Sequence, residues 1–310
     1  MILMKIQNFD ESFRLSIINN LNQMNAHFNP EDQYILDEAW FSNYLKQYDQ
    51  TDPTRDILIA IDEQGVVQGS MALSKRSNTD FWYLDVAVSP DHIDSTLPGE
   101  LLEKGLELAR EQGAPAIHAV HHVRFTALRD KLEQLGHKPV ESSWAVELTD
   151  IESAPKIEPS PNILLRKQEG EHDLMSYTEL YNEVFKKTFS FIPATVENLK
   201  YNEEALNKEE FERWFAFEGD IMTGFVIIQR SNNPDQKHKG SINYMGVRPS
   251  HQRHGIGSAM LAKGIQRLQE KGCTVVTSGG NESVKPAAKL FHKFGFSDIA
   301  NQNFVTYAID

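Results

Sequence analysis

The chain has 310 residues, 40% of them hydrophobic and 24% charged, so it carries enough apolar content for two ordinary globular domains and is too long for one compact core. A formal net charge of −13 repels phosphate backbones and anionic lipid, and no basic run offsets it locally; this excludes nucleic acid and membrane surfaces as partners and leaves a cationic substrate compatible. No stretch approaches the roughly 18 apolar residues of a membrane span, the amino terminus is too short in apolar length for a signal peptide, and Cys273, the single cysteine, sits in the apolar run Cys273-Thr274-Val275-Val276 as a core residue; a cytoplasmic protein is expected.

In chain order, Lys5 to Phe9 reads as a strand, followed by helical segments from about Asp10 to Met24 and Asp37 to Tyr48. Two strands around a turn come next, Asp56 to Asp62 and Val67 to Leu73. The alternation of Trp82, Leu84, Val86 and Val88 predicts a further strand that ends at Pro90. A helix with the apolar stripe Leu101, Leu102, Leu106, Ala109 follows and stops at Gly113. Then come a strand from Ala116 to Val120 and a helix through Leu128, Leu132 and Leu135 that stops at Gly136. His118, His121 and His122 lie in this stretch, but no acidic or cysteine partner stands at ligand spacing, so they read as strand and loop histidines and no metal is expected. Residues 151–162 carry three prolines and little apolar content, the composition of a linker. The expected organisation is a first domain over 1–150, that linker, and a second domain over 163–310.

The second half repeats the first. Its strand is Ile163 to Lys167, its helices run from about Glu171 to Thr188 and Thr195 to Leu206, and its hairpin pairs Arg213 to Phe217 with Thr223 to Gln229. A single fixed shift brings Val88-Ser89-Pro90-Asp91-His92 onto Val247-Arg248-Pro249-Ser250-His251 and, without a gap, Leu102, Lys104, Gly105, Glu111, Gly113 and Gly136 onto Leu261, Lys263, Gly264, Glu270, Gly272 and Gly295. The apolar phase of Ile242, Tyr244 and Val247 is less regular than that of its counterpart. The second-copy helices carry Met260, Leu261, Ile265, Leu268 and then Ala287, Leu290, Phe291, Phe294. Each half is thus expected to be an α+β domain on a mixed, mostly antiparallel twisted sheet flanked by helices, the two arranged in tandem.

The turn Gln252-Arg253-His254-Gly255-Ile256-Gly257 stands between a strand end and an amphipathic helix start, where glycines let backbone N–H groups approach an anion and the helix end adds partial positive charge. Arg248, Arg253 and His254 concentrate positive character there in an otherwise acidic chain. Together with Val247-x-Pro249 and the later Leu290-Phe291-x-x-x-Gly295-Phe296, this pattern resembles the GNAT acetyltransferase superfamily across the second half; the layout extends more weakly to the first, giving a tandem GNAT organisation.

The resemblance implies acetyl-CoA as co-substrate, its pyrophosphate on the backbone of Gln252, Arg253, His254, Gly255, Ile256, Gly257 and Ser258, and its pantetheine paired with Met245, Gly246 and Val247 like an added strand. Asn281 and Phe291 are further candidate cofactor contacts. The aligned first-half turn, Ile93-Asp94-Ser95-Thr96-Leu97-Pro98-Gly99, lacks both glycines, adds an acid and loses a donor at Pro98, so no cofactor is expected there. The family's usual proton-donating tyrosine falls at Phe291, so either another hydroxyl, Tyr244 or Ser283, serves as acid or the thiolate leaves without one; the family's acidic strand residue falls near Asn243, and Glu218 is the candidate base from another strand. Phe189 and Phe191, around Ser190, are candidates for the acceptor pocket, which the first domain is expected to complete or shield. The function expected is acetyl transfer to a primary amine on a small molecule by direct attack on the thioester. Alternatives are a non-catalytic acetyl-CoA sensor or scaffold and a protein or peptide N-acetyltransferase.

Overall fold

The computed structural model describes residues 4–30, 35–47, 52–75, 82–189, 191–205, 210–299 and 304–309; Ser190 lies outside them. The chain forms two compact units, one made of Met1–Ser143 with Asn301–Asp310, the other of Trp144–Ala300.

The first unit runs β1 (Lys5–Asn8), α1 (Arg14–Phe28), α2 (Glu38–Gln47), α3 (Pro53–Asp56), β2 (Ile57–Ile61), β3 (Val67–Lys75), β4 (Trp82–Val88), α4 (Leu97–Glu111), β5 (Ile117–His122), α5 (Thr126–Gln134) and the first part of β6 (Pro139–Leu148). Neighbouring strands are antiparallel from β1 to β4, whereas β4 and β5 are parallel and paired only from Trp82↔Ile117 to Leu84↔Ala119. The period of two sorts the side chains of β2 onto two faces. Ile57 and Ile59 join Ile17, Ile18 and Phe41 of α1 and α2, while Ala60 joins Leu101, Leu102 and Leu106 of α4 on the other face.

The second unit takes the rest of β6, then β7 (Ile163–Lys167), α6 (Glu171–Phe185), α7 (Val196–Ala205), β8 (Phe211–Glu218), β9 (Ile221–Arg230), β10 (Lys239–Val247), α8 (Ile256–Glu270), β11 (Val275–Asn281), α9 (Ala288–Lys293) and β12 (Ser297–Asp298). Its strand order is β7-β8-β9-β10-β11-β6, again with a parallel pair, β10 with β11. Phe225 and Ile227 of β9 pack towards Leu174, Tyr177 and Leu180 of α6, and Val226 and Ile228 pack towards Met260 and Ile265 of α8. Buried Glu212 on β8 ties the sheet to α8 by accepting from Arg267 Nη2 at 2.9 Å, with Lys167 Nζ at 3.2 Å and Lys271 Nζ at 3.4 Å. Burial opposes its charge, but hydrogen bonds from Arg267, Trp214 and Lys167 outweigh burial and hold the carboxyl below the usual range.

The four glycines expected to stop helices, Gly113, Gly136, Gly272 and Gly295, all have positive φ. In each case the next residue's amide reaches back to the last helical turn, as in Cys273 N to Leu268 O at 3.0 Å and Ala114 N to Ala109 O at 3.0 Å.

The unit boundary departs from the expected one. It falls inside β6, between Ser143 and Trp144, and residues 151–162 are internal to the second unit, with Ile151 in its core. The strand β13 (Phe304–Ile309) belongs to the first unit, where it lies antiparallel to β5 from Phe304↔His122 to Ile309↔Ile117. Each unit is therefore completed by a strand from beyond the expected division. Proline content marks residues that cannot join a ladder, but here it marks the loop between β6 and β7.

Candidate active site

The site is built where β10 parts from β11. Their parallel pairing ends at Ile242↔Ser278, whereas β10 stays paired with β9 through Tyr244↔Ile227, Met245↔Val226, Gly246↔Phe225 and Val247↔Gly224. Asn243 is the extra residue of a β-bulge, and this is the physical reason for the irregular apolar phase read in the sequence. The edge of Met245 to Val247 that faces β11 therefore lies beyond the last ladder pair. Gly246 is a glycine for packing: a Cβ there would come within 2.8 Å of both Phe225 and Val184.

Beyond Val247 the chain turns into α8. Arg248 is held from three sides, its amide donating to Thr223 O at 2.8 Å, its Nε to Met222 O at 3.2 Å and its Nη1 to Glu183. It anchors the turn, and its charge is already matched; the expectation that it adds free positive character is corrected. The amide of Gln252 donates to Pro249 O, and its side chain donates to Val247 O at 3.1 Å, so Gln252 shapes the turn and the open amides begin at Arg253. Arg253 and Gly255 both take left-handed backbone, with φ of 68° and 83°. For a non-glycine residue that is a strained conformation of the kind that gathers at ligand sites.

Gly255 caps α8, and no side chain bonds to the first turn of that helix, so the amides of Ile256, Gly257 and Ser258 have no acceptor from the helix or from a cap. A Cβ on Gly257 would meet Leu290 and Val247 at an ordinary 3.6 Å, so the fold itself does not require glycine there. This arrangement fits a bound pyrophosphate.

The corresponding turn of the first unit is closed by its own side chains. Ser95 Oγ accepts from the Leu97 amide at 3.2 Å, Pro98 has no donor, and Glu100 in the first turn accepts from Thr96 Oγ1 at 2.6 Å, which sets a carboxylate where an anion would sit.

The other sequence candidates are placed as follows. Tyr244 is 49% exposed and meets Tyr181 and Phe185 of α6 edge-on, at centroid distances of 5.9 and 6.1 Å, which makes an aromatic wall beside the cleft that α6 could not reveal in sequence. Asn281 is exposed at the end of β11, and its carbonyl accepts from Trp144 Nε1 at 3.0 Å. Phe189 N lies 3.5 Å from Ser283 Oγ, so the loop after α6 reaches the end of β11. Phe291 is a correction. It is 3% exposed and packs on Trp144 and Phe296, because its stripe on α9 faces the core and not the cleft.

Glu218 is displaced too. Trp214 is level with Met245 through Val226, and Glu218 lies four positions further along β8, roughly 13 Å away at the strand rise. There it accepts from Asn162 and faces His251 Nε2 at 3.5 Å, beside the turn and away from where β10 opens. Asn243 donates to Gln229 Oε1 at 3.0 Å, and its carboxamide takes no proton. Among the described residues no group of three His, Cys, Asp or Glu could hold a metal ion.

Residues 174–296, which hold the bulge, the turn and α9, match the acetyltransferase (GNAT) family, so the second unit is similar to a class of acyltransferases that in general uses acetyl-CoA as co-substrate. It is similar to a mycothiol acetyltransferase of Arthrobacter sp. (strain FB24), 24% identical over 224 residues, a match covering 69% of this chain and 66% of that protein. Over 99% of its length it shares the fold of a tandem GNAT protein from the clavulanic acid biosynthesis pathway, with a TM-score of 0.74 at 12% identity over 98% of that chain. It likewise shares the fold of a GCN5-related N-acetyltransferase from Sphaerobacter thermophilus, with a TM-score of 0.72 at 18% identity over 99% of this chain and 95% of that one.

Proposed function

We propose that the second unit transfers the acetyl group of acetyl-CoA to a primary amine on a small molecule by direct attack of the amine on the thioester. One observation carries this reading: the uncapped first turn of α8 opens beside the stretch of β10 that has parted from β11. The co-substrate supplies an electrophilic carbonyl with a thiolate leaving group. The chain positions the two reactants. The amides from Arg253 to Ser258 take the pyrophosphate, the free edge of Met245 to Val247 takes the pantetheine arm as a strand would, and Tyr244 with Tyr181 and Phe185 walls the acceptor side. As the C–N bond forms and the C–S bond breaks, the Tyr244 hydroxyl is the group proposed to give a proton to the departing thiolate, and it regains one from the nitrogen that becomes the amide. Glu218 acts on the turn through His251 and is not assigned as base, so the ammonium gives up its proton to water before attack. The first unit, with its turn closed by Ser95 and Glu100, takes no pyrophosphate in this reading. The name of the curated relatives, mycothiol acetyltransferase, supports a small-molecule acceptor over a protein.

A second reading, acetyl-CoA binding without turnover, is favoured by the burial of Phe291 where the family's proton donor would stand. Isothermal titration with acetyl-CoA tests both readings, and an absence of binding overturns both. Release of free thiol over a panel of amino sugars, polyamines, amino acids and peptides separates them: turnover by a small amine supports transfer, turnover by peptides alone moves the acceptor class to protein, and tight binding with no thiol release supports the sensor.

A further inference from the structure

The first unit closes its phosphate turn but keeps its two parallel strands apart. Pairing of β4 with β5 stops at Leu84↔Ala119, and past that point residues of both strands border a hollow of about 310 Å³ beneath α1 and α2. Protein interiors hold few voids larger than a water molecule, and this volume lies in the range of small-molecule sites. Because the turn is shut by Ser95 and Glu100, whatever enters the hollow is not held there by a pyrophosphate.

The wall is largely apolar from the core outwards. Ile17, Phe41, Ile57 and Phe125 line it from buried positions, while Trp40 and Phe304 line it and are 36% and 42% exposed. Large rings left in water beside an apolar hollow give an apolar guest a first contact and lose exposed surface when it binds. The rings are also layered. His122 stacks on Phe28 with centroids 4.8 Å and planes 12° apart, and Trp40 stacks on Tyr44 at 5.5 Å and 25°. Flat walls of this kind suit a flat guest.

Asp85 and His122, polar members of the wall, have partners in the protein. Tyr44 Oη donates to Asp85 at 3.2 Å, and His122 Nδ1 accepts from the Arg124 amide at 3.1 Å. An ammonium would have to compete with Tyr44 for Asp85, and an anion meets no lysine or arginine in the wall among the described residues. Either charge gives up its water for little in return, whereas an uncharged ring gains by leaving water.

From this wall we infer that the first unit holds a second small-molecule site, for an uncharged aromatic molecule of one or two rings, which is filled independently of the acetyl-CoA site assigned to the second unit. The test uses the full chain with saturating acetyl-CoA present, so that the proposed cofactor cleft is occupied. It is titrated calorimetrically with 1-naphthalenemethanol and with two charged analogues of similar shape, 1-naphthylmethylammonium and 1-naphthoate. The uncharged compound binds at least about tenfold tighter than either charged one. Ala72→Leu fills the hollow from β3, and Phe304→Asp puts a charge on an exposed part of its wall; each weakens the uncharged compound at least about tenfold with the melting profile retained. No binding of the uncharged compound, equal or tighter binding of either charged analogue, or unaltered affinity in whichever variants melt like the parent chain overturns the inference. Acetyl-CoA affinity, titrated separately on the same proteins, is unchanged by both substitutions and reports on the second unit alone.

Discussion

Gln252 donates from Nε2 to the carbonyl oxygen of Val247, 3.1 Å away, so the residue at the head of the turn is tied to the final residue of β10. Gln252→Glu replaces that donor by an anion facing both a carbonyl oxygen and the proposed pyrophosphate. Acetyl-CoA affinity should fall roughly 10- to 100-fold, equivalent to about 1–3 kcal/mol. Gln252 is exposed, so thermal melting should stay close to that of the parent chain.

The two glycines of the turn should separate folding from binding. Gly257→Ala puts its Cβ at ordinary contact distance from Leu290 and Val247, so melting is retained while acetyl-CoA binding weakens at least tenfold. Gly255→Ala forces a left-handed residue to carry a side chain and destabilises the second unit by about 1–2 kcal/mol in chemical denaturation, with open space around the new methyl. Equal loss of stability in the two variants would show that the fold, and not a ligand, demands both.

Arg166 holds Asp173 through two hydrogen bonds of 2.6 and 2.7 Å and keeps its carboxyl below the usual range, helped by the Glu169 amide. A carboxyl whose pKa is lowered on folding contributes stability that is fully present above its unfolded value, near 4, and is lost as pH falls through the lower folded value. Asp173→Asn should therefore cost about 1–3 kcal/mol at neutral pH and progressively less below about pH 4, as read by denaturation at a series of pH values.

Cys273 is 2% exposed, and burial pushes its thiol up to about 11. At pH 8 roughly a thousandth of it is thiolate, so a disulfide reagent should label the native chain only as fast as it opens, and at once in denaturant. Rapid native labelling would contradict its place in the core.

Removing residues 304–309 should damage the first unit and spare the second. Tyr307 and Ile309 are core residues of the first unit, and Tyr307 stacks on His121 at 5.4 Å. The truncated chain should lose hydrogen-exchange protection along β5 and keep its acetyl-CoA affinity.

The helices, the hairpins and the repeat were legible because apolar stripes, alternation and glycine stops are local signals. The turn was legible for the same reason, and even the bulge at Asn243 left a trace in the phase of Ile242, Tyr244 and Val247. What required the third dimension was partnership. Arg248 counts as a free charge until Glu183 is seen beside it, and Glu218 looks close to the chemistry until register carries it past the end of β10. The exchange of strands was invisible because the alternation of residues 304–309 suits the sheet of either unit equally.

That exchange also sets an order on biosynthesis. Residues 304–309 leave the ribosome only after all of residues 144–300, so the amino-terminal unit, although made first, is the later of the two to be completed. Until then the open flank of β5 is an unpaired strand edge on a nascent chain, the kind of surface that pairs wrongly with neighbouring chains.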